Sequence, residues 1–330
     1  MRVFKRAGRE RRNRFAFFAI LLLLFGLISM KTDSFMLSND SIVPSRDKTI
    51  YRVRREPADS LDVIIVGDSL TYSSVSPLQL WKEHGFTSYV CGQWGQKIIE
   101  TEDMLKTALH RQKPRVVILE TDVLFRTQMD ARHLNDGIET GLKYYMPVFR
   151  GHDIWKSLVI KKEYKLENYK GFVFRTDVKP YEKGDYMKKN KKEVKLEDTI
   201  LSHMENIINL CEKSGAELIL LGTPSPINYN YARNKAVSEY AREKSLVWLD
   251  MNYLLKEIGI NWKTDSLDQG DHLNFSGAEK VTKYLGKYLA EKYKLPDHRE
   301  DSAYASWAKE SLVYEEEAAK VLNKLRGDKK

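Results

Sequence analysis

The chain has 330 residues, 42% hydrophobic and 31% charged, a balance that suits a folded protein with a full core and excludes wholesale disorder. Its formal charge of +9 is concentrated at the start: residues 1–14, MRVFKRAGRERRNR, hold seven basic side chains and one acidic, so +6 lies there and +3, the difference, on the rest. That thin remainder, with no arginine stripe interleaved with aromatics, argues against nucleic acid as a partner.

Behind this basic head, FAFFAILLLLFGLISM (15–30) carries no charge. A basic flank before an apolar run predicts a membrane signal anchor, with residues 1–14 cytoplasmic and the bulk of the chain extracytoplasmic. The run is shorter than the roughly 20 residues of a full span. A cleaved signal peptide is the competing reading, and the absence of a small-x-small site in SMKTDS weighs against it. Residues 31–60 are polar and mixed, as in a juxtamembrane linker.

From residue 61, strands and helices alternate. LDVIIVG is a continuous apolar run of parallel-strand type. SPLQLWKEHG predicts a short helix with Ser76 as cap and Pro77 in its first turn. TSYVCG is a second strand, and GQKIIETEDMLKTALHRQKP an amphipathic helix stopped by Pro114. RVVILET is a third strand. DTILSHMENIINLCEKSG is a helix ending at Gly215, AELILLGTP a fourth strand, NYARNKAVSEYAREKS a helix, LVWLDMN a fifth strand and SGAEKVTKYLGKYLAEKYKL a last helix. The alternation predicts an α/β, flavodoxin-like three-layer αβα domain over 61–295 with about five parallel strands, whose ligands bind at the carboxyl ends of the strands. Residues 123–198 break the rhythm and are read as an inserted cap over that face, or else as a peripheral subdomain; the aromatics of 144–174 are candidates for stacking on sugars. Residues 296–330 form a helical tail.

Cys211 falls at helical spacing with Met204, Ile207 and Ile208 and reads as core, and Cys91 ends a strand, so no disulfide framework is expected. No Cys or His pair has ligand spacing, and no metal or organic cofactor is expected.

The first strand ends in Gly67-Asp68-Ser69-Leu70. Gly, Asp and Ser are ordinary turn residues, but a serine at the carboxyl end of a buried strand is also where a nucleophile could sit. A serine hydroxyl needs a base in hydrogen-bond reach, usually a histidine oriented by a carboxylate. Of seven histidines, most lie in helical or charged stretches, as His110 does. His272 differs: in DSLDQGDHLNFSGAEKV it precedes the last helix, at the same sheet edge, with Asp268 and Asp271 beside it.

VGDSLTYSSVSP resembles the first block of the GDSL/SGNH hydrolases, and DHLNFSGA their last block, over about residues 65–292. The chain is similar to the membrane-anchored, extracytoplasmic bacterial branch, which includes the D-alanine-transfer protein and proteins associated with membrane-bound O-acyltransferases. The resemblance implies Ser69 as nucleophile and His272 as base. It also implies an oxyanion hole from the Ser69 N–H, a glycine N–H (Gly95, with Gly92 as alternative) and an asparagine. Two features depart from the family. ILETDVLF has no asparagine, leaving Glu120, Thr121 or Asp122 in that space. Three residues before His272 stands Gln269, so the orienting carboxylate is Asp268, one position further, or the adjacent Asp271; Asp268 is preferred because a neighbouring side chain seldom curls back to Nδ1. Asp68 is expected to bond nearby backbone. The resemblance points to an esterase or acyltransferase acting on acyl groups of cell-envelope polymers, with the membrane and a membrane-bound O-acyltransferase as partners. A non-catalytic binding or assembly module is the alternative.

Overall fold

The computed structural model describes residues 2–126, 131–151, 159 and 169–327. In chain order the main elements are α1 (Arg2–Ser38), α2 (Lys48–Val53), β1 (Val63–Gly67), α3 (Ser69–Ser74), α4 (Pro77–His84), β2 (Ser88–Gly92), α5 (Ile98–Leu109), β3 (Val116–Glu120), α6 (Ala131–Tyr145), α7 (Asp198–Ser214), β4 (Glu217–Gly222), α8 (Tyr231–Glu243), β5 (Val247–Asp250), α9 (Leu255–Ile258), α10 (Phe275–Tyr293) and α11 (Ala305–Leu325). The chain divides into two compact units, residues 1–51 with 129–165, and residues 52–128 with 166–330.

The first unit is dominated by α1, which continues well past the sixteen-residue apolar run into the stretch read as linker. Its segment Arg11–Ser38 is long and apolar enough to cross a membrane. At a rise of about 1.5 Å per residue, the apolar run alone covers about 24 Å. Phe15, Phe17, Leu22 and Leu23 are exposed, while Ser29 is buried and accepts the Val148 N–H.

The second unit holds one five-stranded sheet of order β2-β1-β3-β4-β5, parallel at every pairing. VIIVG and VVILE are buried at every position, which is why they read as unbroken apolar runs rather than alternating ones. Val63, Ile65, Val116, Ile118, Ile219 and Leu221 face one cluster with Val281, Leu285 and Leu289, which recur every four residues on α10. Each such side chain contributes about 1.5–3 kcal/mol on burial. Pleating turns Ile64, Val66, Val117 and Leu119 to the opposite face. There α5 and α7 pack on each other and against β1, β2 and β4, completing the three layers. Helix α4 begins as its sequence dictates: Ser76 accepts the Gln79 N–H and Pro77 occupies the first turn. The tail helix α11 is docked by buried Trp307 and Tyr314.

Residues 169–187 carry little regular structure but are tied to the sheet unit. Lys170 accepts the Val90 N–H through its carbonyl, and its buried ammonium pairs with Glu56 at 2.9 Å. Phe172 and Phe174 pack among Phe275 and Tyr314. These aromatics of the insertion therefore serve the core instead of a sugar. Trp155 and Tyr164 lie outside the described residues.

Candidate active site

Strand order places the end of β1 between β2 and β3, where the direction of winding reverses and open α/β sheets present a crevice. Ser69 stands there, 8% exposed. The sequence offers it as a turn residue at the strand's carboxyl end; it is the first residue of α3, a helix of six residues, too short to show a 3.6-residue period. Asp68 caps this helix, its carboxylate accepting the Leu70 N–H at 2.9 Å and its carbonyl accepting the Thr71 hydroxyl at 2.6 Å. The Ser69 N–H joins neither bond, as an oxyanion donor requires. Two glycines let backbone and side chains crowd around this turn. A Cβ on Gly67 would lie 2.8 Å from Glu120 Cβ, and one on Gly92 only 2.2 Å from Thr71 Oγ1 and 2.7 Å from the Asp68 carbonyl.

The structure brings His272 to Ser69, with Nε2 2.9 Å from Oγ. Asp268 meets His272 twice: one oxygen lies 2.8 Å from Nδ1 and the other accepts the His272 N–H at 2.7 Å. Asp271 stands 3.7 Å from Nδ1, and its carboxylate is taken by the Asn228 amide at 2.6 Å. The extra residue in D-x-x-x-H is absorbed by a local bulge. Gln269 and Gly270 both adopt left-handed backbone, at φ 64° and 93°, and the Ser266 hydroxyl accepts the Gly270 N–H. Asp268 thus reaches the imidazole from four residues away. Burial lowers the His272 pKa, but the Asp268 hydrogen bond and the charges of Asp271, Asp268 and Asp68 outweigh it, and the net shift is upward. Burial also pushes Asp268 up; its bonds to His272 win and hold it below the ordinary value. Asp268, Asp271 and His272 could together face a cation, yet His272 is engaged with Ser69 and Asp268, and Asp271 with Asn228.

Where the sequence resemblance calls for an asparagine, this chain builds a buried charge cluster. Glu120 turns inward and meets the Tyr229 hydroxyl at 2.5 Å and the Thr223 hydroxyl at 3.2 Å. Burial, then the charges of Asp68 and Asp122, push the Glu120 pKa well above the ordinary carboxylate value. Asp122 is covered by two guanidiniums, Arg126 at 3.0 Å and Arg233 at 3.1 Å. Burial and the Asp68 charge push Asp122 up to about 7, against the pull of both arginines. Arg126 also pairs with Asp68. Each carboxylate that would repel an oxyanion thus has its own partner, hydroxyls for Glu120 and guanidiniums for Asp68 and Asp122. Of the two glycines, Gly92 ends β2 in close packing against the serine turn, whereas Gly95 sits in a left-handed turn with open space on its Cβ side. Trp94, beside it, is 63% exposed.

No protein-family model matches the sequence, and no curated protein matches it. Similar solved structures include a "putative acylhydrolase" from Bacteroides fragilis, 11% identical, TM-score 0.42, covering 75% of this chain and 96% of that one. TesA is 14% identical, TM-score 0.38, covering 69% and 98%. A "putative platelet activating factor" from Streptococcus pneumonia is 14% identical, TM-score 0.42, covering 82% and 99%. At such identities the chemistry is read from the chain's own residues.

Proposed function

We propose that this chain is a serine esterase or acyltransferase anchored in the cytoplasmic membrane, acting outside it on O-acyl groups of cell-envelope polymers. One observation carries the chemistry: Ser69, His272 and Asp268 form a continuous hydrogen-bonded line, 2.9 Å and then 2.8 Å long in its two links. With its Nδ1 proton donated to Asp268, His272 offers Nε2 as acceptor for the Ser69 proton. Ser69 Oγ attacks the ester carbonyl, and the Ser69 and Gly95 N–H groups receive the oxyanion. His272 returns the proton to the departing alcohol, and water or a second hydroxyl releases the acyl group from Ser69 by the reverse sequence. Location rests on the seven cations before an apolar helix. The envelope substrate rests on that location and on the sequence resemblance.

The test uses the full chain in detergent micelles. Wild type is expected to turn over p-nitrophenyl acetate and to be labelled by a fluorophosphonate, and Ser69→Ala and His272→Ala to lose both. The missing asparagine at 120–122 favours one second reading, a non-catalytic binding module; absence of turnover and labelling in the wild type would select it.

A further inference from the structure

Arg175 has no place in the triad, yet the insertion delivers it beside the triad with unusual firmness. Its carbonyl accepts the Phe275 N–H at 2.9 Å, three residues beyond His272, and two residues earlier Val173 donates to the Tyr72 carbonyl, three residues beyond Ser69. The strap is thereby bonded at once to the serine-bearing helix and to the first residue of α10, which follows the histidine-bearing loop. The guanidinium lies over the Tyr72 ring, 5.3 Å from its centroid. Tyr72 in turn interacts with Ser69 as well as with Arg175, and the Arg175 charge reaches Asp268.

What this guanidinium lacks is an anion. Among the described residues no carboxylate lies within ion-pair distance of it, whereas Arg126 and Arg233 at the same sheet edge are both paired. Its Nε–H is buried without an acceptor. A half-buried arginine with an orphaned donor is costly unless something else supplies the acceptor. Nor is the neighbourhood negative enough to substitute: Asp268 is committed to His272, and Lys324 adds a second cation at Thr176, 3.0 Å from its hydroxyl.

We infer that Arg175 is a specificity residue, binding an anionic group, carboxylate or phosphate, carried on the alcohol side of the ester that Ser69 attacks. The planar fork of a guanidinium suits both anions. This rests on the serine-esterase reading, and the experiment separates the two. The full chain would be assayed on 4-acetoxybenzoate, 4-acetoxyphenyl phosphate and neutral p-nitrophenyl acetate, and the ratio of kcat/KM for each anionic ester to the neutral one recorded. In Arg175→Gln that ratio is expected to fall about tenfold or more, with partial recovery in Arg175→Lys. Whichever ester loses more identifies carboxylate or phosphate as the anion. Fluorophosphonate labelling of Ser69 checks that the variants fold. Binding of 4-hydroxybenzoate by calorimetry is read in parallel, without turnover. Binding that depends on Arg175 in a chain with no turnover would retain the anion subsite and remove the esterase reading. Turnover with an unchanged ratio in Arg175→Gln would overturn the subsite and leave the esterase intact.

Discussion

Asp268→Asn is the sharpest perturbation of the site. The amide keeps its carbonyl oxygen for the His272 backbone N–H, now bonded to Asp268 at 2.7 Å, so the loop keeps its shape. Its NH2 group then faces Nδ1, where a carboxylate oxygen stood at 2.8 Å. Nδ1 must accept, the ring proton moves to Nε2, and Nε2–H cannot take a proton from Ser69. The same change in a buried triad costs about ten-thousandfold in kcat. Here the Asp268 side chain is 35% exposed, and water competes for Nδ1, so the loss is expected at about a thousandfold to ten-thousandfold, or roughly 4–5.5 kcal/mol. Asp271→Asn, whose oxygen is 3.7 Å from Nδ1, is expected to cost less than about fivefold, in the range of a weak exposed ion pair. Both are read by p-nitrophenyl acetate turnover against pH, with fluorophosphonate labelling as a second signal. Equal losses in the two variants, or a loss under tenfold in Asp268→Asn, would refute Asp268 as the residue that sets the tautomer.

In the wild type, kcat/KM is expected to rise with pH and level off, with an apparent pKa above 6.5, because the base is neutral His272 and its pKa is raised. The same raised pKa contributes stability that is complete below the unfolded value and lost as pH climbs through the folded one, so His272→Gln should flatten that part of the stability curve in denaturant titrations. Gly92→Ala would drive a methyl into Thr71 and the Asp68 carbonyl; a destabilisation of about 1–3 kcal/mol and reduced fluorophosphonate labelling are expected, by thermal melting and labelling rate. Leu285→Ala, in the core face of α10, is expected to cost about 2–5 kcal/mol in urea unfolding while leaving KM unchanged.

The parts of this architecture visible in the sequence are those with a local or periodic signature. The strands announce themselves as apolar runs, and Ser76-Pro77 marks a helix start by cap chemistry alone. Ser69 and His272 stand out because each ends a strand or precedes a helix in an unusual setting. The sequence alone favours Asp268, but the bulge that carries it to the imidazole was not legible, since two consecutive left-handed residues leave little trace beyond one glycine. Arg126, Arg233, Tyr229 and Arg175 were not legible at all. Their contacts join elements more than fifty residues apart, as between Tyr229 and Glu120, and long-range pairing of polar side chains follows no period. The Arg126–Asp122 pair does have i,i+4 spacing, but in a stretch with no helical pattern that spacing is uninformative.

The bond between Ser69 and His272 spans 203 positions in the chain. At synthesis rates of about 5–20 residues per second, roughly 10–40 s separate the appearance of the nucleophile from that of its base. During that interval the serine has no proton acceptor of its own. A contact of such sequence separation closes late, after the intervening strands have paired. A nascent or truncated chain therefore carries an inert hydroxyl, and reactivity at Ser69 doubles as a readout that the last strand and helix have docked.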